Sequence, residues 1–352
     1  MKNFMLLATA VFLMSACSND DTPVPAPDNQ AGRISFDISA VEQLDGTTKS
    51  TVYSQDNVQH VTDVKVYAFK QTGSDFLYVK TYDVTGWSDG TSFKRYVVND
   101  ADMLAPGTYQ FLAVGRNSPN LFTITTDPTT RYQDLQATIT AAGNESELFS
   151  GSALSVIADD GNRVNIIMTR AIAGVLGYFK NVPQQYKNTT VKYLRLTVTN
   201  ANRTVNLATA VGSNPQTSSF RLIDVDLSTQ TVQNDVYTGN DLGPSIIKLP
   251  NTQLNGLFFM PVNAVSMTLG LYDQNGVALK EWAVNDIGNL PIFNILPNHF
   301  YSLGIKTKTD STDGGTPSDP TDDDQPIDLM TDQNISITIS PNWTLIHNMT
   351  IQ

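Results

Sequence analysis

Cysteine is nearly absent from this chain of 352 residues, in which Cys17 is the only one. A single cysteine excludes an intramolecular disulfide, so hydrophobic cores must hold the folded body together. Histidine is also scarce, because His60, His299 and His347 are the only three and they lie far apart. None of them has the paired spacing of a zinc motif. The sequence therefore predicts no metal site and no cofactor.

The local motifs of nucleophilic and phosphate-transferring enzymes are missing as well. The chain contains neither a G-x-S-x-G turn nor a phosphate-binding glycine loop. Its densest acidic cluster, Asp322–Asp324, lacks the Asp and Gly spacing of a dedicated calcium loop. We therefore predict no catalytic residues and no enzymatic activity.

Basic residues are outnumbered, with 22 Lys and Arg against 34 Asp and Glu and a formal net charge of −12. This excess of negative charge disfavours binding to nucleic acid, and to anionic lipid through charge. Much of it lies in residues 309–333, which contain eight Asp and no Lys or Arg. We interpret 309–333 as an acidic tether and not as part of the folded body.

Long hydrophobic runs are limited to Phe4–Met14, which is too short for a membrane-spanning helix of about 20 residues. Lys2 precedes this run and small residues follow it, a pattern typical of a secretory signal over residues 1–16. The segment Met14–Cys17 resembles the bacterial lipobox, whose cysteine receives diacylglycerol and then an acyl chain such as palmitate. More than one acyl chain gives a stable membrane anchor.

The lipobox predicts that Cys17 is lipidated and that the protein is held on the outer membrane at the cell surface. The alternative is a secreted protein that is cleaved nearby, in which Cys17 is incidental. Residues 18–21 resemble the acidic export tag of surface lipoproteins in Bacteroidales. Residues 17–32 then read as a spacer, because Pro23, Pro25 and Pro27 keep the chain extended and semi-rigid.

Alternation of apolar and polar residues with period two dominates the body of the chain. The first example is Ile34, Phe36 and Ile38, which alternate with polar neighbours and predict the first strand. Further strands follow at spacings of roughly 8–12 residues with turns between them, which is typical of β-sandwiches. We predict an all-β fold with sandwich domains at 33–170 and 171–308. A second set of strands begins with one strand at 169–178, which spans the predicted boundary. Residues 121–139 are expected to contain one short helix or an irregular layer. Residues 211–245 are expected to form long loops.

Residues 334–352 alternate strongly and predict two strands interrupted at Pro341, because proline cannot donate to a sheet ladder. The apolar positions that share one face are Ile335, Ile337, Ile339, Trp343 and Leu345. A strand on a tether either completes its own domain or pairs with another subunit, and the pattern leaves both possibilities open.

Tryptophan is the residue type that would indicate a binding surface for carbohydrate. Trp87, Trp282 and Trp343 would form such a platform if they faced solvent, whereas buried tryptophans belong to the core. A glycan-binding surface lipoprotein that uses exposed Trp or Tyr is therefore an alternative function, and burial of Trp87 and Trp282 would count against it.

An ordered set of short segments resembles the FimB-type fimbrial subunits of Bacteroidales, the type V pilus proteins. The segments are the lipobox with its acidic continuation, Val64–Phe69, Thr169–Tyr178, Tyr193–Leu196, Phe259–Pro261, Pro297–Gly304, Pro326–Leu329 and Asn342–His347. The resemblance covers nearly all of the mature chain. It implies two tandem transthyretin-like β-sandwich domains, no enzymatic activity, and a role in fimbriae and cell adhesion at the outer membrane.

The resemblance also implies assembly by strand addition with other fimbrial subunits. In this pilus class a trypsin-like protease removes the first strand, and a strand from a neighbouring subunit fills the groove. Here the strand at 34–38 would be removed after Lys49 or Arg33. A cut after Arg33 would leave the strand on the body, so Lys49 is the better site.

Two roles within this class remain open. A lipid-anchored anchor or minor subunit stays uncut and attached through Cys17, and the resemblance is closer to that branch. A polymerising stalk fimbrillin is cleaved after Lys49, which would separate the body from its lipid.

Overall fold

The computed structural model describes residues 32–40, 61–117, 122–140, 146–216, 219–234, 241–249, 253–286, 288–304, 326–331 and 335–340. The predicted signal and spacer, Cys17, Lys49, most of the acidic tether, Trp343 and Leu345 lie outside the described residues. Within the described ranges, no helix is long and apolar enough to cross a membrane.

Eight strands and two short 3-10 helices form between residues 34 and 170. The strands are β1 (Ile34–Ala40), β2 (Asp63–Thr72), β3 (Asp75–Asp83), β4 (Phe93–Val97), β5 (Gly107–Arg116), β6 (Gln136–Thr138), β7 (Leu148–Ile157) and β8 (Asn162–Arg170). The 3-10 helices are Asp100–Asp102 and Tyr132–Asp134. Residues 121–139, expected as a helix or irregular, thus contain one 3-10 turn and the strand β6.

Strands continue to residue 340, with one further 3-10 helix at Leu227–Thr229. They are β9 (Ala173–Lys180), β10 (Val182–Pro183), β11 (Gln185–Tyr186), β12 (Thr189–Thr190), β13 (Tyr193–Val198), β14 (Asn202–Asn206), β15 (Gly212–Pro215), β16 (Phe220–Asp226), β17 (Thr231–Gln233), β18 (Ile246–Lys248), β19 (Gln253–Phe259), β20 (Val262–Val265), β21 (Met267–Tyr272), β22 (Ala278–Asn285), β23 (Phe293–Ile295), β24 (Phe300–Leu303), β25 (Ile327–Asp328), β26 (Ile335–Ser336) and β27 (Thr338–Ser340). The predicted all-β fold is confirmed.

The first-half strands follow the order β3-β2-β5-β7-β8-β1-β4. β7 pairs with β5 over ten positions but meets β8 in only two, so the strands separate into a layer β3-β2-β5-β7 and a layer β8-β1-β4. The layers pack face to face, since the centroid of the Phe36 ring of β1 lies 5.1 Å from the ring centroid of Phe111 and 5.4 Å from that of Tyr82. Gly151 lets the backbones of β7 and β8 cross closely where their pairing ends, because a Cβ there would lie 2.0 Å from the Ile167 carbonyl oxygen.

The second half builds its main core between two other sheets, β16-β13-β21-β22-β26 and β19-β9-β24-β27. Leu194 and Leu196 of β13 meet Val175 of β9 and Tyr301 of β24 in one buried cluster. β25 continues along β9 beyond β24, because Leu303 pairs with Gly177 and Ile327 pairs with Phe179.

The prediction of long loops over 211–245 is wrong, because this segment contains β15, β16 and β17. β16 pairs with β13, and its register shifts where Leu196 and Thr197 face it. This bulge places both Leu222 and Ile223 in the core. Two adjacent buried residues break the period of two, which explains why the strand pattern was not visible.

The predicted strand at 169–178 is also divided differently. β8 ends at Arg170, and β9 begins at Ala173 after a bend at Ala171 and Ile172. Both bend residues are buried, so the apolar run continues through the bend and conceals it.

A third buried cluster joins the two halves. β6 pairs with β14, so a first-half strand lies in the sheet β15-β14-β6 with two second-half strands. Phe69 and Leu112 from the first half share this cluster with Ile172, Val205 and Met260. The proposed domain division at 170/171 stays a prediction, and the structure adds that the halves bury apolar surface against each other.

The segment 335–340 packs against its own chain. β26 runs parallel to β22, and β27 runs antiparallel to β24. Ile335 and Ile337 are 0% and 1% exposed, whereas Ser336 and Thr338 face solvent. The alternation predicted for residues 335–339 is therefore observed, with the apolar face completing the second-half core.

Replacing Ile337 with alanine tests this packing. We expect Ile337→Ala to lower the free energy of unfolding by about 2–5 kcal/mol, because it removes buried methyl groups and leaves a cavity. The exposed Thr338→Ala is the matched control, with an expected change within about 0.5 kcal/mol. Urea denaturation measures both, and equal midpoints for the two variants would contradict the packing.

Candidate strand-complementation site

The first strand of the body lies between two neighbours in its layer. β1 pairs in parallel with β8 over seven positions, from Ile34↔Asn162 to Ala40↔Met168. On its other edge it pairs antiparallel with β4 over five positions, from Ser35↔Val97 to Ser39↔Phe93. Main-chain hydrogen bonds on both edges are the kind of contact that supplies affinity in strand addition.

The inward face of β1 is fully buried. Ile34, Phe36, Ile38 and Ala40 are each 0% exposed and belong to the first-half core. Burying one large aliphatic or aromatic side chain contributes about 1.5–3 kcal/mol. The apolar positions from which the first strand was predicted, Ile34, Phe36 and Ile38, are therefore its buried face.

The outward face of β1 carries a charged group that is also buried. Asp37 is 5% exposed, and arginines from both neighbouring strands bind its carboxylate. Arg95 of β4 donates from Nε to Oδ1 at 2.8 Å and from Nη2 to Oδ2 at 3.1 Å. Arg163 of β8 donates from Nε to Oδ2 at 2.6 Å, and its Nη2 donates to the same oxygen. We call these three residues the Asp37 clamp.

The charge of the Asp37 clamp follows from this geometry. Burial alone would raise the pKa of Asp37, but the hydrogen bonds and positive charges of Arg95 and Arg163 outweigh it. The pKa therefore lies below its ordinary value of 3.8, and the carboxylate is charged at neutral pH. The clamp links all three strands of the layer on the face opposite to the core.

The start of β1 is held separately. Arg33 binds Asp100 with two hydrogen bonds of 2.9 Å, and the Gly32 amide donates to the carbonyl of Asp160. Gly161 has a φ of +79°, and a Cβ there would lie 2.3 Å from the Arg33 carbonyl oxygen. The candidate cleavage site Arg33 therefore has its side chain bound to Asp100 and its carbonyl oxygen packed closely against Gly161. Lys49 lies outside the described residues.

The C-terminal candidates lie in a different core from β1. Ile335 and Ile337 belong to the buried second-half cluster, and Ile339 packs against it from a partly buried position. Residues 34–40 belong to the first-half cluster. Among the residues that the structure describes, the two sets of strand residues therefore do not come together within one chain.

The tryptophans of the glycan-binding alternative that the structure describes are buried. Trp87 and Trp282 are 7% and 6% exposed and belong to the first-half and second-half cores, respectively. Lys280 covers the Trp282 ring, with Nζ 4.5 Å from the ring centroid. These two residues therefore present no open aromatic surface to a sugar.

Sequence reasoning missed the Asp37 clamp. Asp37 stands at a polar position of the alternation, where a charged residue ordinarily faces solvent, so the pattern predicts exposure and not a buried ion pair. Its partners were not visible, because Arg95 and Arg163 lie 58 and 126 residues away along the chain. The register of three strands is needed to place them on Asp37.

Solved structures whose chain fold distantly resembles that of this protein include fimbrial and adhesin-type proteins of low sequence identity. The fimbrial anchor protein Mfa2 from Porphyromonas gingivalis is 12% identical, with 88% of this chain and 97% of that chain covered and a TM-score of 0.41. The tip fimbrial protein Mfa3 from the same organism, with a C-terminal truncation, is 12% identical, with coverage of 88% and 99% and a TM-score of 0.40. A candidate adhesin from Bacteroides thetaiotaomicron is 16% identical, with coverage of 71% and 80% and a TM-score of 0.42.

These structural likenesses are too distant to carry an argument about function, and no curated protein matches the chain. Its sequence, however, matches the family model described as fimbrillin-A associated anchor proteins Mfa1 and Mfa2, over residues 19–349. Because the match spans nearly the whole chain, the protein belongs to this family of fimbrial anchor proteins.

Proposed function

We propose that this protein is a lipid-anchored anchoring or minor subunit of fimbriae at the outer membrane, and that it joins other pilins by β-strand complementation. The observation that carries the proposal is the position of β1. This strand fills the middle of its layer, and it directly follows the spacer that begins at Cys17. Family membership supports the fimbrial role.

The proposal gives β1 a second task as the link between lipid and body. Residues 17–32 would reach at most about 50 Å if extended, so the body would stay near the membrane. A pull on the body would load β1 along its length against both β8 and β4. Ladders on two edges, the buried side chains and the Asp37 clamp would then resist together, which suits an anchor.

The stalk reading requires a cut after Lys49, the only Lys or Arg between Arg33 and Lys65. The β1 segment would then be held by non-covalent contacts alone. Against this reading, the candidate donor residues Ile335 and Ile337 are already buried in their own chain. Donating them to a neighbour would expose the second-half core. We therefore favour the anchor over the polymerising stalk subunit.

The glycan-binding reading ranks lower. It depends on exposed Trp or Tyr side chains, and the burial of Trp87 and Trp282 in the cores counts against it. The expected partners are accordingly other fimbrial subunits, together with the outer membrane through the acyl chains on Cys17. We propose that the protein has no enzymatic activity.

The state of the N-terminus tests the anchor directly. We expect protein purified from its native membrane to begin at an acylated Cys17 and to remain intact through Lys49. Intact-mass and N-terminal analysis of the fimbrial fraction measures this. A Cys17→Ala variant is the matched control and should lack the acyl mass and leave the membrane fraction.

Other results would redirect the assignment. Chains that begin at Ser50 within fimbriae would make the protein a stalk subunit. Lipidated protein that never co-purifies with fimbriae would contradict both fimbrial roles.

The acid response of the Asp37 clamp gives a second test. Because the folded pKa of Asp37 lies below 3.8, the clamp stabilises the fold above about pH 4 and loses this contribution as the pH falls through the folded pKa. In a chain nicked after Lys49, we expect the β1 segment to stay bound at pH 7 and to dissociate faster near pH 3.

Size-exclusion chromatography of the nicked protein measures this release. The Asp37→Asn variant is the control, since it lacks the titrating carboxylate and should release β1 faster at pH 7 with a smaller further change in acid. Identical release from the two proteins at both pH values would show that the clamp does not retain the strand.

A further inference from the structure

We propose that the groove between β8 and β4 selects strands that carry a carboxylate at the position of Asp37, and thereby rejects this chain's own C-terminal strand. The inference rests on the proposed function, since it gives the reason that β1 keeps its place in an uncut anchor and states which strands could displace it. Its elements are the Asp37 clamp and a sequence likeness between the two ends of the body.

The two strands share a pattern. Residues 34–39 read Ile-Ser-Phe-Asp-Ile-Ser, and residues 335–340 read Ile-Ser-Ile-Thr-Ile-Ser. Four of the six positions are identical, and the alternation of apolar and polar residues is in phase. A C-terminal strand from a second copy would therefore present nearly the same apolar face to the groove. It is the competitor that the groove must distinguish from β1.

The difference at the clamp position decides between them. In this register Thr338 would replace Asp37, and no carboxylate would face Arg95 and Arg163. The arginines would lose four hydrogen bonds to a charged acceptor, and two positive charges would converge on one site. The side chain of Arg95 is only 19% exposed, so water would replace the lost contacts poorly.

The neighbouring position adds a smaller difference. Ile337 would replace Phe36, whose ring centroid lies 5.4 Å from that of Tyr82 and 5.1 Å from that of Phe111. A smaller side chain leaves space in this packed interior. Shape therefore favours β1 as well, but an aliphatic side chain still fits an apolar site, whereas Thr338 offers no carboxylate to replace the four hydrogen bonds at the clamp position.

This arrangement would act against self-assembly. Hydrogen bonds to a charged group that only the right strand can complete are a common source of specificity between similar partners. A copy of this protein would not extend into a chain of copies through its C-terminal strand. A strand from another subunit could displace β1 only if it carried Asp or Glu between the second and third of its alternating apolar residues.

Peptide exchange tests the selection. A recognition sequence for a specific protease replaces residues 46–51, so that nicking leaves β1 bound without a covalent link. Excess peptide of residues 32–42 then competes with the bound β1 segment, and native mass spectrometry measures the fraction replaced. The same assay uses the peptide with Asp37→Asn, and with Ser35→Ala as a control on the same face.

We expect the Asp37→Asn peptide to replace β1 at least about tenfold less effectively than the native peptide, and the Ser35→Ala peptide to stay within about threefold. A peptide of residues 332–342 should enter poorly, and its Thr338→Asp form should gain at least about tenfold. With Arg95→Gln and Arg163→Gln in the protein, the preference for Asp over Asn should disappear. The single variant Arg163→Gln, at a side chain that is 58% exposed, should reduce it even if the double variant does not fold.

The outcomes separate the two proposals. If the native peptide exchanges and the Asp37→Asn peptide exchanges equally well, the carboxylate selection is wrong while strand complementation survives. If the preference persists unchanged in Arg163→Gln and in the double variant, the arginines are not its source. If no peptide enters, including the native one, strand exchange at this groove fails, and the selection fails with it.

Discussion

The insertion of β1 between β8 and β4 is the contact on which the first half of the body depends. β4 pairs with no other strand among the described residues, and β8 has only two further pairs, with β7. Without β1 the second layer of the sandwich would have neither its middle strand nor four of its buried side chains. The strand β1 is thus a structural requirement of the first half of the body and not an attachment to it.

The two terminal strands occupy unequal positions. β1 is central in its layer, whereas β26 and β27 lie at the edges of two sheets and pair over two and three positions. An edge strand with few pairs leaves the remaining ladder intact when it departs, although Ile335 and Ile337 would become exposed. The C-terminal segment is therefore the easier of the two to give up, while β1 is the one that the fold retains.

Much of the fold follows from local pattern, because period-two alternation located β1 and the apolar face of 335–339. The pattern failed at β16, where a bulge buries Leu222 and Ile223 together, and at Ala171–Ile172, where a buried bend interrupts an apolar run. The Asp37 clamp and the pairing of β6 with β14 depend on register between distant segments. Alternation within one segment carries no information about which distant residue will lie opposite.

The Asp37 clamp also constrains how another strand could replace β1 between β8 and β4. An emptied groove would leave Arg95 and Arg163 without their shared carboxylate and β4 without a partner strand. Such a state is costly, because apolar surface, main-chain groups and charge would all be uncompensated at once. Replacement of β1 should therefore proceed pair by pair as an incoming strand arrives, and not through an empty intermediate. A protein that remains joined to its lipid through an uncut β1 avoids that cost, which is the physical argument for retention in an anchor subunit.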